Sequence, residues 1–122
     1  MKTLKILWMS RHAPLTSQEA ELARLFGAEV RVEQDPRPFS SAEDIAVRYR
    51  DGGYDDLVVV APLSVLARLV DLGLKPLWAE MTQVGRAEAE VTTPRRDGRT
   101  HYYRFDRFRR VKALRLEFEE LQ

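Results

Sequence analysis

Two apolar runs constrain this chain more than any other feature: Leu4–Met9 ("LKILWM") and Leu57–Ala61 ("LVVVA"). Near-continuous apolar character, as opposed to strict alternation, marks a strand covered on both faces, as in a parallel sheet. Each run is followed by a helical stripe. After the first, Thr16 is the expected N-cap with Glu19 completing a capping box, and Ala20, Leu22, Ala23, Leu25 and Phe26 form a stripe that stops at Gly27. After the second, Pro62 suits a first helical turn, Val65, Leu66, Leu69 and Val70 make the stripe, and Gly73 closes it.

Between these units, Ala28–Val32 reads as a strand, "DPRPFSS" as a loop, and Ser41 as the cap of a helix reaching Arg50 and ended by Gly52 and Gly53. Leu74–Met81 supplies a fourth strand. The resulting β-α-β-α-β-α-β series predicts the α/β class: a Rossmann-like open parallel sheet of order 2-1-3-4, with helices on both faces and right-handed crossovers. Beyond it, Ala89–Thr93 and Thr100–Phe108 alternate around the Asp-Gly signal of "RRDGR", which predicts an antiparallel β-hairpin extension. The closing "VKALRLEFEEL" fits either a strand with Leu114, Leu116 and Phe118 on one face or a short helix. A chain of 122 residues is expected to form one domain, residues 1–122, divided into a core over 1–81 and a basic hairpin with C-terminal segment over 86–122.

Composition narrows the chemistry. With no cysteine and two histidines, disulfides and thiolate sites are excluded and little remains for an imidazole zinc site, so the chemistry is expected to be metal-free or to use a metal held loosely by oxygen ligands, and no cofactor is expected. No apolar run approaches the ~18 residues of a membrane span, and Leu4–Met9 is too brief for a signal peptide, which makes the cytoplasm the expected location. Charge is unevenly spread. Residues 1–94 hold 11 basic against 14 acidic residues, whereas the stretch 95–115 (Arg95, Arg96, Arg99, Arg104, Arg107, Arg109, Arg110, Lys112, Arg115) sets nine basic residues against Asp97 and Asp106. An anionic partner follows as a candidate.

In an open parallel sheet, ligands bind at the carboxyl ends of the strands where strand order reverses, here between the first and third strands. The loops meeting there are "SRHAPLT" and "APLS", with "WAEM" adjacent. Arg11 offers a planar multi-donor cation for phosphate, and His12 an acid or base of the type that works near neutral pH. Ser10, Thr16 and Ser64 add hydroxyls beside helix starts that favour anions, and Pro62, Trp78 and Glu80 complete the set of candidate ligand contacts. Trp78 also fits a core or interface role, and Glu80 an ordinary strand-end carboxylate. In the hairpin, Tyr102, Tyr103, Phe105 and Phe108 interleave with Arg104, Arg107 and Arg109 as in a stacking face for nucleic acid, or as in a hairpin with one buried face. His101 reads as a plain strand residue.

Two family resemblances attach to these residues. "LWMSRHA" resembles the phosphohistidine motif of the histidine phosphatases, and "LTSQEAELARLFG" that family's first helix. The second histidine which that chemistry needs is missing: Ala61 and Pro62 follow the later strand. The wider likeness, over residues 4–80, is to the small CRISPR-associated Csx-type proteins of type III systems, carried by "SRHAPLTSQEAELARL" and "APLSVLARLVDLGLKPLW", with Ala13 where those proteins have none before the proline. That family is similar to CARF domains, and the resemblance implies a homodimer binding cyclic oligoadenylate, or another anionic nucleotide, at the strand ends. It further implies a metal-independent ring nuclease using in-line 2′-hydroxyl attack, with Arg11, His12 and Ser10 catalytic and the hairpin as a lid. The alternatives are a non-catalytic nucleic-acid-binding module using the arginine-rich hairpin, and a degenerate histidine-phosphatase-like phosphohydrolase.

Overall fold

The alternating side chains of the first strand anchor two separate apolar layers. The computed structural model describes residues 3–95, 97–115 and 117–121; of the residues named above, Arg96 and Leu116 fall outside them. Ile6 and Trp8 of β1 (Leu4–Met9) pack with Leu22 of α1 (Thr16–Phe26), and Leu7 and Met9 pack with Ile45 of α2 (Ala42–Asp51) and Leu66 and Leu69 of α3 (Leu63–Asp71). The sheet is therefore covered by α1 on one face and by α2 and α3 on the other, which is why β1 and β3 (Asp56–Val59) carry so little polar character. Leu22 is fully buried and anchors α1, a contribution of about 1.5–3 kcal/mol for a side chain of that size.

Among the described residues the protein is an α/β structure with three α-helices and an open six-stranded sheet of order β2-β1-β3-β4-β6-β5. β2 (Val30–Gln34), β1, β3 and β4 (Leu77–Gln83) are parallel, the last joined to β3 at the Val58–Leu77 pair. The hairpin of β5 (Val91–Pro94) and β6 (Thr100–Arg110) does not stand apart from the core as an extension. Instead β6 pairs antiparallel with β4 from Leu77–Arg110 to Gln83–Tyr103 and lengthens the sheet. Gly98, at φ +80°, forms the hairpin turn where the Asp-Gly signal predicted it. Pro94 is tolerated because β5 is the edge strand.

Several boundaries differ from expectation for local reasons. The α1 cap is Leu15, not Thr16: Leu15 N–H donates to the Gln18 side chain at 2.8 Å, so Gln18, not Glu19, closes the first turn. Ser41 does cap α2, its hydroxyl accepting from Asp44 N–H at 3.1 Å. Pro62 sits at the cap of α3, immediately before its first turn. That helix ends in a Schellman arrangement, with Gly73 at φ +85°, Leu74 N–H donating to Leu69 C=O and Gly73 N–H to Val70 C=O. Leu74 is thereby spent on the cap, and β4 begins at Leu77, after the buried Pro76. The segment after Val111 is neither strand nor helix among the described residues.

Candidate ligand-binding site

The loop after β1 is shaped by its own backbone. Trp8 is buried, and its indole N–H donates to His12 C=O at 2.9 Å; His12 N–H donates to Ser10 Oγ at 3.2 Å, and Gln34 donates to Ser10 C=O at 3.1 Å. These bonds turn the chain so that Arg11 and His12 are both exposed at the carboxyl edge of β1. Arg11 has no hydrogen bond or ion pair among the described residues, so its guanidinium is available to an anion.

The loop Asp35–Ser40 after β2 forms the opposite wall. A cleft of about 380 Å³ lies between the two loops, lined by Ser10, Arg11, His12, Asp35, Arg37 and Phe39, with Val60 closing its β3 side. This is the small end of the range for ligand pockets. Two anchors hold the wall. Phe39 packs on the α2/α3 core, and Arg48 of α2 donates to Pro38 C=O at 2.7 Å and Arg37 C=O at 3.2 Å while gripping Asp44 at 2.9 and 3.1 Å. Asp35 accepts from the Arg37 guanidinium at 2.9 and 2.8 Å. That hydrogen bonding, supported by the Arg37 backbone N–H and the charge of Arg48, pulls the Asp35 carboxyl down to about 2 against the opposing effect of burial.

The structure gathers Ser10, Arg11 and His12 into one cleft but disperses the other candidates. Thr16 opens α1 outside the cleft, and Pro62 and Ser64 are exposed at the start of α3 without lining it. Trp78, half exposed, lines a second cleft with Val60, Ala61 and Leu63. Glu80 is engaged by Arg107 at 3.5 Å and by Arg109 in a closer contact. Asp35, Arg37 and Phe39 were missed by the strand-end reasoning, which favoured the loop after β3. Their signal was "DPRPF" itself, an Asp-x-Arg pair stiffened by two prolines.

The chain was compared with protein-family models, with curated proteins and with solved structures. It matches none of them.

Arg104, Arg107 and Arg109 do not line the cleft between the loops after β1 and β2, and Arg109 lines the second cleft beside Trp78. Arg104 lies 3.8 Å from Glu88 and 3.7 Å from Asp106, while Phe105 is buried and Phe108 meets Trp8 edge-on at 6.2 Å. The interleaving of aromatic and basic residues along β6 thus becomes separation in space, with the two phenylalanines packed inward and the arginines directed to carboxylates. Arg110 follows the same pattern, donating to Asp56 at 2.8 Å through both terminal nitrogens and also to Lys75 C=O at 2.8 Å. Its guanidinium is held above its ordinary value by that hydrogen-bonded carboxylate. No group of three or more potential metal ligands is found among the described residues, and no helix is long and apolar enough to cross a membrane.

Proposed function

We propose that this chain is a cytoplasmic, Rossmann-like ring nuclease of type III CRISPR antiviral signalling, binding cyclic oligoadenylate in the cleft between the loops after β1 and β2. The observation that carries the reading is Arg11, an exposed guanidinium with no carboxylate partner among the described residues, set beside His12 at the carboxyl edge of a parallel sheet. Arg37 adds a second cation to the same cleft, its charge shared with Asp35. The volume suits one nucleotide unit better than a whole ring, which favours two copies sharing one symmetric ligand.

In the cleavage step His12 accepts the 2′-hydroxyl proton of the ligand. The 2′-oxygen bonds to the adjacent phosphorus, the bond from phosphorus to the 5′-oxygen breaks, and water protonates the departing oxygen. The products are linear adenylates ending in a 2′,3′-cyclic phosphate. Arg11 holds the phosphate and offsets the charge that builds on its oxygens, and the Ser10 hydroxyl orients the loop through His12 N–H. Alignment and charge stabilisation are the main demands of such an attack.

The test is incubation of the purified protein with cyclic tetra- and hexa-adenylate without added metal, following binding by calorimetry and products by chromatography. Arg11→Ala should weaken binding by about tenfold or more and abolish cleavage, whereas His12→Ala should abolish cleavage and retain binding. Binding without cleavage in the wild type would reduce the reading to a sensor. No binding of either ring would overturn it.

A further inference from the structure

The second cleft, of about 650 Å³, lies between α3 and the segment that follows β6. Its floor is apolar and open: Leu63 is 67 % exposed, Val60 62 % and Trp78 50 %. Such exposure is costly when side by side, and a contiguous patch of this kind marks a contact surface. One wall is the basic segment Arg109–Arg115. Lys112 and Arg115 in it have no ion pair among the described residues.

The chain carries the complement of this cleft. Glu117–Leu121 combines three acids with two apolar residues, with Phe118 87 % and Leu121 90 % exposed and Glu117, Glu119 and Glu120 unpaired among the described residues. It follows the basic wall directly in sequence but does not line the cleft. We propose that the cleft receives the Glu117–Leu121 segment of a second copy of this chain, with Phe118 and Leu121 on the floor beside Trp78 and the glutamates against Lys112 and Arg115. Exchange between two copies is self-complementary, because each contributes one cleft and one segment, and it closes as a two-fold dimer. The apolar anchors supply affinity and the charges fix direction. This interface is independent of which ligand the strand-end cleft takes.

The experiment is sedimentation of the full chain over about 10 to 500 µM, with Phe118→Ser/Leu121→Ser and Lys112→Glu/Arg115→Glu variants and circular dichroism to confirm that each is folded. The wild type should be a dimer and both variants monomers. Mixing Lys112→Glu/Arg115→Glu with Glu119→Lys/Glu120→Lys should restore association. A synthetic peptide of residues 117–122, added to the full-length Phe118→Ser/Leu121→Ser variant, should shift Trp78 fluorescence with a Kd on the order of 10 µM that weakens several-fold in high salt. A wild type that stays monomeric at all concentrations overturns the proposal, as does a dimer that survives Phe118→Ser/Leu121→Ser. Quenching of Trp78 by single-stranded oligoadenylate that the peptide does not compete away would assign the cleft to nucleic acid and overturn it equally.

Discussion

Replacing Arg48 with methionine keeps the aliphatic stem and removes the guanidinium that joins α2 to the wall of the strand-end cleft. The side chain is only 18 % exposed, so solvent does not readily substitute for its partners. Its pair with Asp44 is an i,i+4 contact within a helix, worth about 0.3–0.5 kcal/mol. The carbonyls of Arg37 and Pro38 each lose a charged donor, at about 1 kcal/mol net apiece once both bonds are discounted for lying at the surface. The sum, about 2–3 kcal/mol, should lower the urea midpoint by roughly 1–2 M for a chain of this size, read through the fluorescence of buried Trp8. Because Phe39 still anchors the loop from the core side, the wall should loosen without the fold being lost. Limited proteolysis with chymotrypsin should then cut after Phe39 in Arg48→Met and spare the wild type. An unchanged midpoint, or a loop equally resistant in both proteins, would refute the assignment of Arg48 as the strut of the cleft.

Three further outcomes follow from the same geometry. Arg110→Met leaves Asp56, 9 % exposed, without its main partner, and should cost about 2 kcal/mol after discounting for a guanidinium that is itself 36 % exposed; adding Asp56→Asn should recover part of that loss in denaturant unfolding. The folded-state value of Asp35, about 2, lies below the ordinary aspartate value, so its contribution is present above about pH 4 and lost as pH falls toward about 2. With Arg37 largely exposed this amounts to about 1 kcal/mol, and the gap in urea midpoint between wild type and Asp35→Asn should close over that window. Gly52→Ala should destabilise by about 1–3 kcal/mol although its φ of −79° suits alanine, because the added methyl meets the Tyr54 ring; thermal unfolding checks this, and Gly52→Ala/Tyr54→Ala should remove the clash.

What could be read from the sequence was local. Continuous apolar runs located β1 and β3, the stripes located α1 and α3, and Gly27 and Gly73 marked helix ends because left-handed backbone there favours glycine. The parallel order β2-β1-β3-β4 followed from alternation of elements. Pairing of β6 with β4 did not, since antiparallel addition to an edge leaves no periodic trace, and the Asp56–Arg110 contact joins residues 54 positions apart. The bulge opposite Glu80 and Met81 did leave one: Phe105 and Phe108, three apart in an alternating strand, meet at 4.9 Å in a tilted contact on one face only because Asp106 is the extra residue.

The same distinction applies to the candidate site. Ser10, Arg11 and His12 were legible because the end of an apolar strand predicts where a polar loop must emerge, whatever the rest of the chain does. Which loop faces them depends on side-chain packing across the sheet. Arg48 pulls the Asp35–Ser40 loop inward through carbonyl contacts that no spacing rule encodes, while α3 starts at the Pro62 cap and directs Ser64 away. The cleft therefore opens toward β2 and leaves the β3 side to the apolar floor around Trp78. One sheet edge thus presents two surfaces of opposite character, a polar cleft with an exposed guanidinium and an apolar cleft with a basic wall, separated by the exposed Val60 that lines both. Substitutions confined to one side of Val60 leave the lining of the other cleft in place, so variants that lose self-association should show directly how far ring binding depends on having two copies.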